Sequence, residues 1–187
     1  MFDIAPALPA EAGAIQQIIA AAFGPGYAER PIQRLRAGVA PAPGLSFVIR
    51  EDEVLRGCLK FWPVAIDGDR PALLLGPLAV EPAERGRGLG VALVRHGLAA
   101  ARCRGHEIVF VSGEPDYYAR FGFRPAAEFG VRPTVAVAPL TFQVLGLSPS
   151  AWHGLDGTVD AWRGVRRSGA APQEDSVTPD RLSLAAG

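Results

Sequence analysis

The residues with the clearest chemistry are Arg85, Gly86, Arg87, Gly88, Leu89 and Gly90, where glycines alternate with arginines directly after an apolar run from Leu73 to Val80. Glycine lets the backbone approach an anion closely. A helix start behind such a turn adds N–H donors and the positive end of a dipole, so the arrangement suits a diphosphate. A nucleotide-like cofactor is therefore the first expectation. A Walker-type loop would need Gly-Lys-Ser/Thr, and the only lysine is Lys60, between Leu59 and Phe61. A dinucleotide fingerprint starting at Gly86 or Gly88 would need a third glycine where Val91 or Leu93 stands. A hydrolase nucleophile elbow at Ser112 fails because Phe110 occupies the position of its first glycine. The three histidines, His96, His106 and His153, form no zinc signature, and no metal is expected.

The stretch resembles the acyl-CoA signature of the GNAT superfamily of N-acyltransferases. That pattern is Gln or Arg, two residues, Gly, one residue, then Gly or Ala, met here by Arg85, Gly88 and Gly90 and preceded by Val80-Glu81-Pro82. A second run, Tyr117-Tyr118-Ala119-Arg120-Phe121-Gly122-Phe123, is similar to the aromatic-Tyr…Gly-Phe ending of a short helix in the same superfamily. With Gly113-Glu114-Pro115-Asp116 before it, the run is similar to that of the bacterial YhbS-like subgroup. The resemblance implies acetyl-CoA as acyl donor and an amine of a small molecule or protein as acceptor. A non-catalytic acyl-CoA-binding module with the same fold is the alternative. It further implies that backbone N–H groups from Arg85 to Gly90 wrap the pyrophosphate. Leu78, Ala79 and Val80 would pair with the pantetheine amides, and Tyr118 would donate a proton to the leaving thiolate. Arg85 and Arg87 could reach phosphates as side chains. Where many members keep an asparagine seven residues before the tyrosine, this chain has Val111. Glu114 is expected to cap the shortened helix behind Pro115, because acids are favoured at helix N-termini. Tyr117 is expected to pack against the sheet as a core or cofactor-wall residue, and Trp62 to pack in the core, with a place in an acceptor pocket as the alternative. A base is hard to find: Glu81, Glu114 and Asp116 qualify only by nearness in sequence.

These groups need elements to hold them. Ile15, Ile18, Ile19, Ala22 and Phe23 recur with helical spacing over Pro9 to Phe23, before Gly24-Pro25-Gly26. A short strand is expected at Phe2 to Ala5 and a second helical piece at Glu29 to Ala37. Strands follow at Leu45 to Arg50, Val54 to Ile66 and Pro71 to Val80, separated by the turn signals Glu51-Asp52-Glu53 and Asp67-Gly68-Asp69. Gly76-Pro77 inside the last of these predicts a bulge or a kink. Gly88 to Arg104 reads as a helix with Leu89, Leu93 and Gly97 on one ridge, leaving Arg95, His96 and Arg102 to solvent and Gly105 to terminate it. Ile108 to Val111 then reads as a buried parallel strand, completing a right-handed crossover. Late strands are expected at Phe142 to Leu147 and Gly157 to Trp162. The fold class is α/β (α+β): a mixed, mostly antiparallel sheet flanked by helices, with a β-α-β acyl-CoA-binding unit. Residues 1–165 form one domain, and 166–187, poor in large apolar residues, are expected to be a flexible tail.

Composition narrows the rest. The 187 residues are 49% hydrophobic and 20% charged, enough for one sizeable core. With 19 basic and 19 acidic residues there is no global field for nucleic acid or an anionic membrane. The N-terminal residues lack a signal-peptide pattern, so the cytoplasm is the expected location. Cys58 and Cys103 are expected to be reduced and packed, and a homodimer stays open. Acceptor specificity is expected from Gly24 to Gly44, the Trp62 to Arg70 hairpin and the segment from Phe129 to Pro139.

Overall fold

The computed structural model describes residues 2–163, so the expected tail at 166–187 lies outside the described residues. The chain opens with β1 (Phe2–Pro6) and α1 (Ala12–Phe23), which is led in by a 3-10 turn at Pro9–Glu11. The piece expected as a second helix is instead two 3-10 turns, Tyr27–Glu29 and Pro31–Arg36. Pro31 cannot continue an α-helical hydrogen-bond ladder, so the segment resets there. A meander follows: β2 (Ser46–Glu51), β3 (Val54–Ile66) and β4 (Arg70–Val80). Next come α2 (Leu89–Cys103), β5 (Ile108–Ser112) and the one-turn α3 (Pro115–Ala119). Short strands complete it: β6 (Arg124–Pro125), β7 (Val131–Pro133), β8 (Phe142–Gly146) and β9 (Gly157–Ala161).

The strands form one sheet in the order β1-β2-β3-β4-β5-β8-β6, with β9 pairing to β3 and β7. Only β4–β5 and β7–β9 are parallel. Helix α2 lies on one face, where Leu89, Leu93 and Val94 meet Leu59, Phe61 and Leu75. Each such buried side chain is worth about 1.5–3 kcal/mol of transfer free energy. Gly97 allows the close approach: a Cβ there would stand 2.6 Å from Phe61. As the sequence pattern predicts, Arg95, His96 and Arg102 are exposed, and Gly105 takes a left-handed φ of 80° after the helix. On the other face α1 places Ile15, Ile18 and Ile19 against Val48, Cys58 and Ala79. The two cysteines differ from expectation: Cys58 is buried in β3, but Cys103 is exposed, because it ends α2 on the side away from the sheet.

The feature that shapes the site is a split in the sheet. Strand β4 pairs with β5 only from Leu73 to Leu75, opposite Val109 to Val111. At Gly76-Pro77 two residues of β4 face the single Lys60 of β3, giving the bulge anticipated from the sequence. Beyond it β4 stays paired to β3 through Val80, while β5 turns away to β8. Among the described residues, the far edge of β4 from Gly76 to Val80 therefore has no strand partner.

Candidate functional site

The free edge of β4 ends in the glycine turn. Arg85 N–H still closes a 3-10 turn on Pro82 O, and the first bond of α2 runs from Ala92 N–H to Gly88 O. Between them, Gly86, Arg87 and Gly88 have no backbone acceptor among the described residues. Leu89, Gly90 and Val91 lie in the first turn of α2, where N–H groups lack intrahelical partners. Gly86 and Gly88 have φ of 82° and 84°, a backbone that side chains with a Cβ rarely adopt. The result is a continuous run of N–H donors at a helix N-terminus, with no side-chain cap in place.

This run lines a cavity of about 370 Å³, within the size range of small-molecule sites. Leu78 and Val80 form its floor, Gly86, Gly88, Leu89 and Gly90 one wall, and Phe23 at the end of α1 another. Arg85 also lines it, its Nη2 donating to Ala22 O at 2.9 Å and tying the turn to α1. Three of the expected residues, Ala79, Arg87 and Tyr118, do not line it. Ala79 alternates to the other face of β4 and packs under α1. Arg87 turns away to pair with Glu84 and, at 2.8 Å, with Glu51, and both carboxylates hold its guanidinium further above its usual range.

The aromatic run is placed at the split. Tyr118 is buried, its ring edge-on to Tyr117 (5.0 Å) and Phe123 (5.6 Å) and laid against Gly113, where β5 has just left β4. Burial, chiefly, pushes its phenol well above the ordinary range, so the hydroxyl keeps its proton; the nearby Arg36 guanidinium only partly offsets this. Tyr117 is half-buried against the core and at the same time forms a wall of the cavity. A Cβ on Gly90 would come within 2.7 Å of its hydroxyl. Arg120, which the sequence reading passed over, stacks on Tyr117 at 4.8 Å and lines the same cavity. The signal was its place three residues after Tyr117, one turn along and on the same side.

Glu114 occupies the N-cap position of α3, but its side chain makes no capping hydrogen bond; the short helix has Pro115 in its first turn, and Pro lacks an N–H. Val111, in the place of the family's asparagine, is buried in the core. Glu81 is paired to Arg56 at 2.8 Å. Neither it, Glu114 nor Asp116 lines the cavity.

A second cavity, of about 360 Å³, lies across β4 from the first. It is walled by Tyr27, Gln33 and Arg36 from the loop after α1, and by Lys60, Trp62 and Pro77 at the bulge. Trp62, expected in the core, is half-buried here and donates from Nε1 to Gly76 O at 2.6 Å. Of the three segments expected to set specificity, the first two supply residues to the lining of this cavity. The stretch from Phe129 to Pro139 lines neither cavity, Phe129 stacking instead on Trp152.

A parallel pair of strands that splits beside a glycine-rich helix start agrees with the acyl-CoA-binding unit that the resemblance implied, and comparison with known proteins supplies the family. Residues 13–123 match the acetyltransferase (GNAT) family, and the chain belongs to that family. It is 31% identical over 154 residues to the uncharacterized N-acetyltransferase YhbS of Escherichia coli strain K12, covering 82% of this chain and 92% of that protein. The crystal structure of E. coli YhbS in complex with CoA superposes with a TM-score of 0.75 at 29% identity, covering 86% of this chain and 89% of that one. A GNAT family acetyltransferase from Brucella melitensis in complex with acetyl-CoA gives a TM-score of 0.65 at 31% identity, covering 87% and 97%. No helix among the described residues is long and apolar enough to cross a membrane. No group of three or more His, Cys, Asp or Glu gathers among them as a metal site.

Proposed function

We propose that this protein is an acetyl-CoA-dependent N-acetyltransferase in which an amine attacks the thioester directly. The observation that carries this reading is the juxtaposition of three things at the β4–β5 split: the N–H run from Gly86 to Val91, the unpaired edge of β4, and the buried Tyr118, which packs on Gly113 directly behind the cavity-wall residue Tyr117. The N–H run suits the pyrophosphate of CoA, with Arg85 and Arg120 adding positive charge at the same cavity. Backbone groups of Leu78 to Val80 suit an extended partner carrying amides, as a strand edge does. CoA would supply an activated acetyl group. In transfer the C–N bond forms and the C–S bond breaks. The Tyr118 hydroxyl gives its proton to the departing sulfur, the amine's proton passes to water, and the phenolate regains a proton from water before the next turnover.

Ala79 enters this reading through its backbone alone, its side chain facing α1. Arg87 takes no part beyond its amide, its side chain being committed to Glu51 and Glu84. The test is release of free CoA thiol from acetyl-CoA across a panel of amines, with the acetylated product read by mass. Tyr118→Phe is expected to lower kcat by about 10²-fold or more, with acetyl-CoA affinity held within a factor of about two. An unchanged kcat would remove Tyr118 from the chemistry. Acetyl-CoA binding without transfer to any amine would favour the non-catalytic binding module.

A further inference from the structure

The second cavity says what kind of amine would fit. Its charged lining residues are Arg36 and Lys60, the latter the single lysine of the chain, and no Asp or Glu lines it. Arg36 is fixed from one side only: Nη1 donates to the Tyr27 hydroxyl at 2.9 Å and to Gln33 Oε1 at 3.0 Å. Its Nε is buried with no partner, and Nη2 stands over the bulge, 2.7 Å from where a Cβ of Gly76 would be. The Nε–Nη2 edge of a guanidinium is a two-donor fork that matches a carboxylate. Nη2, which makes no hydrogen bond among the described residues, is the donor an entering anion meets first; a small shift of the side chain would bring the costly unpaired Nε into the same contact. Tyr27, Ile19, Trp62 and Pro77 make the remaining wall largely apolar.

We propose that the acceptor is a small amine that also carries a carboxylate, bound in this second cavity with its carboxylate on the free edge of Arg36 and with Lys60 as a second cation. The proposal rests on the acetyltransferase reading for the fate of the amine, and on the cavity alone for the carboxylate. It also suits a cavity without Asp or Glu in its lining, the one carboxylate of the first cavity, Glu84, being paired to Arg87: an ammonium group entering between Arg36 and Lys60 loses its proton more easily, as a cation beside cations does. Diamines and polyamines, which bring positive charge and no anion, are poor fits for the same reason.

The experiment compares matched acceptors that differ only in the anion: alanine, glutamate and phenylalanine against their α-carboxamides, with putrescine as the polycation. With wild-type protein the amino acids are expected to have kcat/KM at least about 10-fold above their amides. Arg36→Gln should raise KM for the amino acids by about 10- to 100-fold with a smaller change in kcat, and leave the amides within about twofold. Arg36→Lys should recover part of the loss, and Lys60→Met should shift KM in the same direction by less. Amides or putrescine used as well as the amino acids, or an Arg36→Gln effect equal for both sets, would overturn the proposal. A binding arm does not depend on turnover. Calorimetry of the CoA-loaded protein, or of the protein alone if CoA does not bind, with N-acetylated forms of the same amino acids and of their amides should show a preference of about 10-fold for the carboxylates, lost in Arg36→Gln. Equal binding, or binding of neither, contradicts the carboxylate site. Failure of acetyl transfer alongside a preserved carboxylate preference contradicts only the enzymatic reading.

Discussion

Gly113→Ala would move the Tyr118 ring without altering its chemistry. Gly113 has no left-handed φ, so alanine can adopt its backbone. Its Cβ, however, would overlap Tyr118 Cε2 and stand 3.1 Å from Cδ2. The backbone cannot easily yield, because Gly113 N–H donates to Thr141 O at 3.0 Å and its carbonyl accepts from the buried Gln143 at 3.3 Å. The ring must move instead, against Phe123 and Tyr117. Overpacking of this kind costs about 1–3 kcal/mol, or about 2–12 °C in Tm for a chain of this size. A displacement of about 1 Å in a reacting group costs about 10²-fold in rate. Thermal unfolding, steady-state thiol release and calorimetry with acetyl-CoA separate the two effects. The expected result is a loss in both Tm and kcat with acetyl-CoA affinity nearly unchanged. The same substitution in a Tyr118→Phe background should lower Tm again but kcat by less than about threefold, since the hydroxyl whose position mattered is gone. A kcat that survives Gly113→Ala, or that falls equally in both backgrounds, would refute the claim that Gly113 acts by seating Tyr118.

Gly88→Ala puts a Cβ on a residue with φ of 84° and nothing within 4 Å to meet it, so the expected cost is the backbone strain alone, about 1–2 kcal/mol. Its acetyl-CoA affinity should fall by about 10-fold, as calorimetry would read, because the free turn relaxes from the strained φ and binding must restore it. Arg87→Ala should leave acetyl-CoA affinity within about twofold, since that side chain serves Glu51 and Glu84; a large loss would mean that it swings to the phosphates. Burial raises the Cys58 thiol from its ordinary 9.0 to about 11, so between these values the unfolded chain holds fewer protons than the folded one. Stability should therefore fall by up to about 1.4 kcal/mol per pH unit across that window, an increment absent in Cys58→Ala and measurable by urea unfolding. In the native protein at neutral pH, a thiol reagent should label the exposed Cys103 quickly and Cys58 only on unfolding.

Local signals carried much of this site. The turn from Arg85 to Gly90 and the helix behind it were legible because positive-φ glycines and a 3.6-residue apolar repeat are properties of adjacent residues. The bulge at Gly76-Pro77 was legible for the same reason. What the sequence hid depends on partners distant in the chain. Nothing near Arg87 foretold that the hairpin end at Glu51 would claim its side chain. Which of two adjacent tyrosines faces the cavity is set by how the one-turn α3 docks over Gly113 and Gly90, and that orientation is a tertiary matter. Arg36 gave no sequence signal at all. It gains its place because two 3-10 turns fold back over the bulge of β4, bringing together loop and strand residues that share no motif.

The central claim, that the glycine turn and the free edge of β4 together hold acyl-CoA, is tested most directly by amide hydrogen exchange with and without saturating acetyl-CoA. The structure predicts slowed exchange at residues 86–91 and 78–80, where donors or a strand edge lack partners among the described residues. Saturable binding of acetyl-CoA with exchange at both segments unchanged would contradict it.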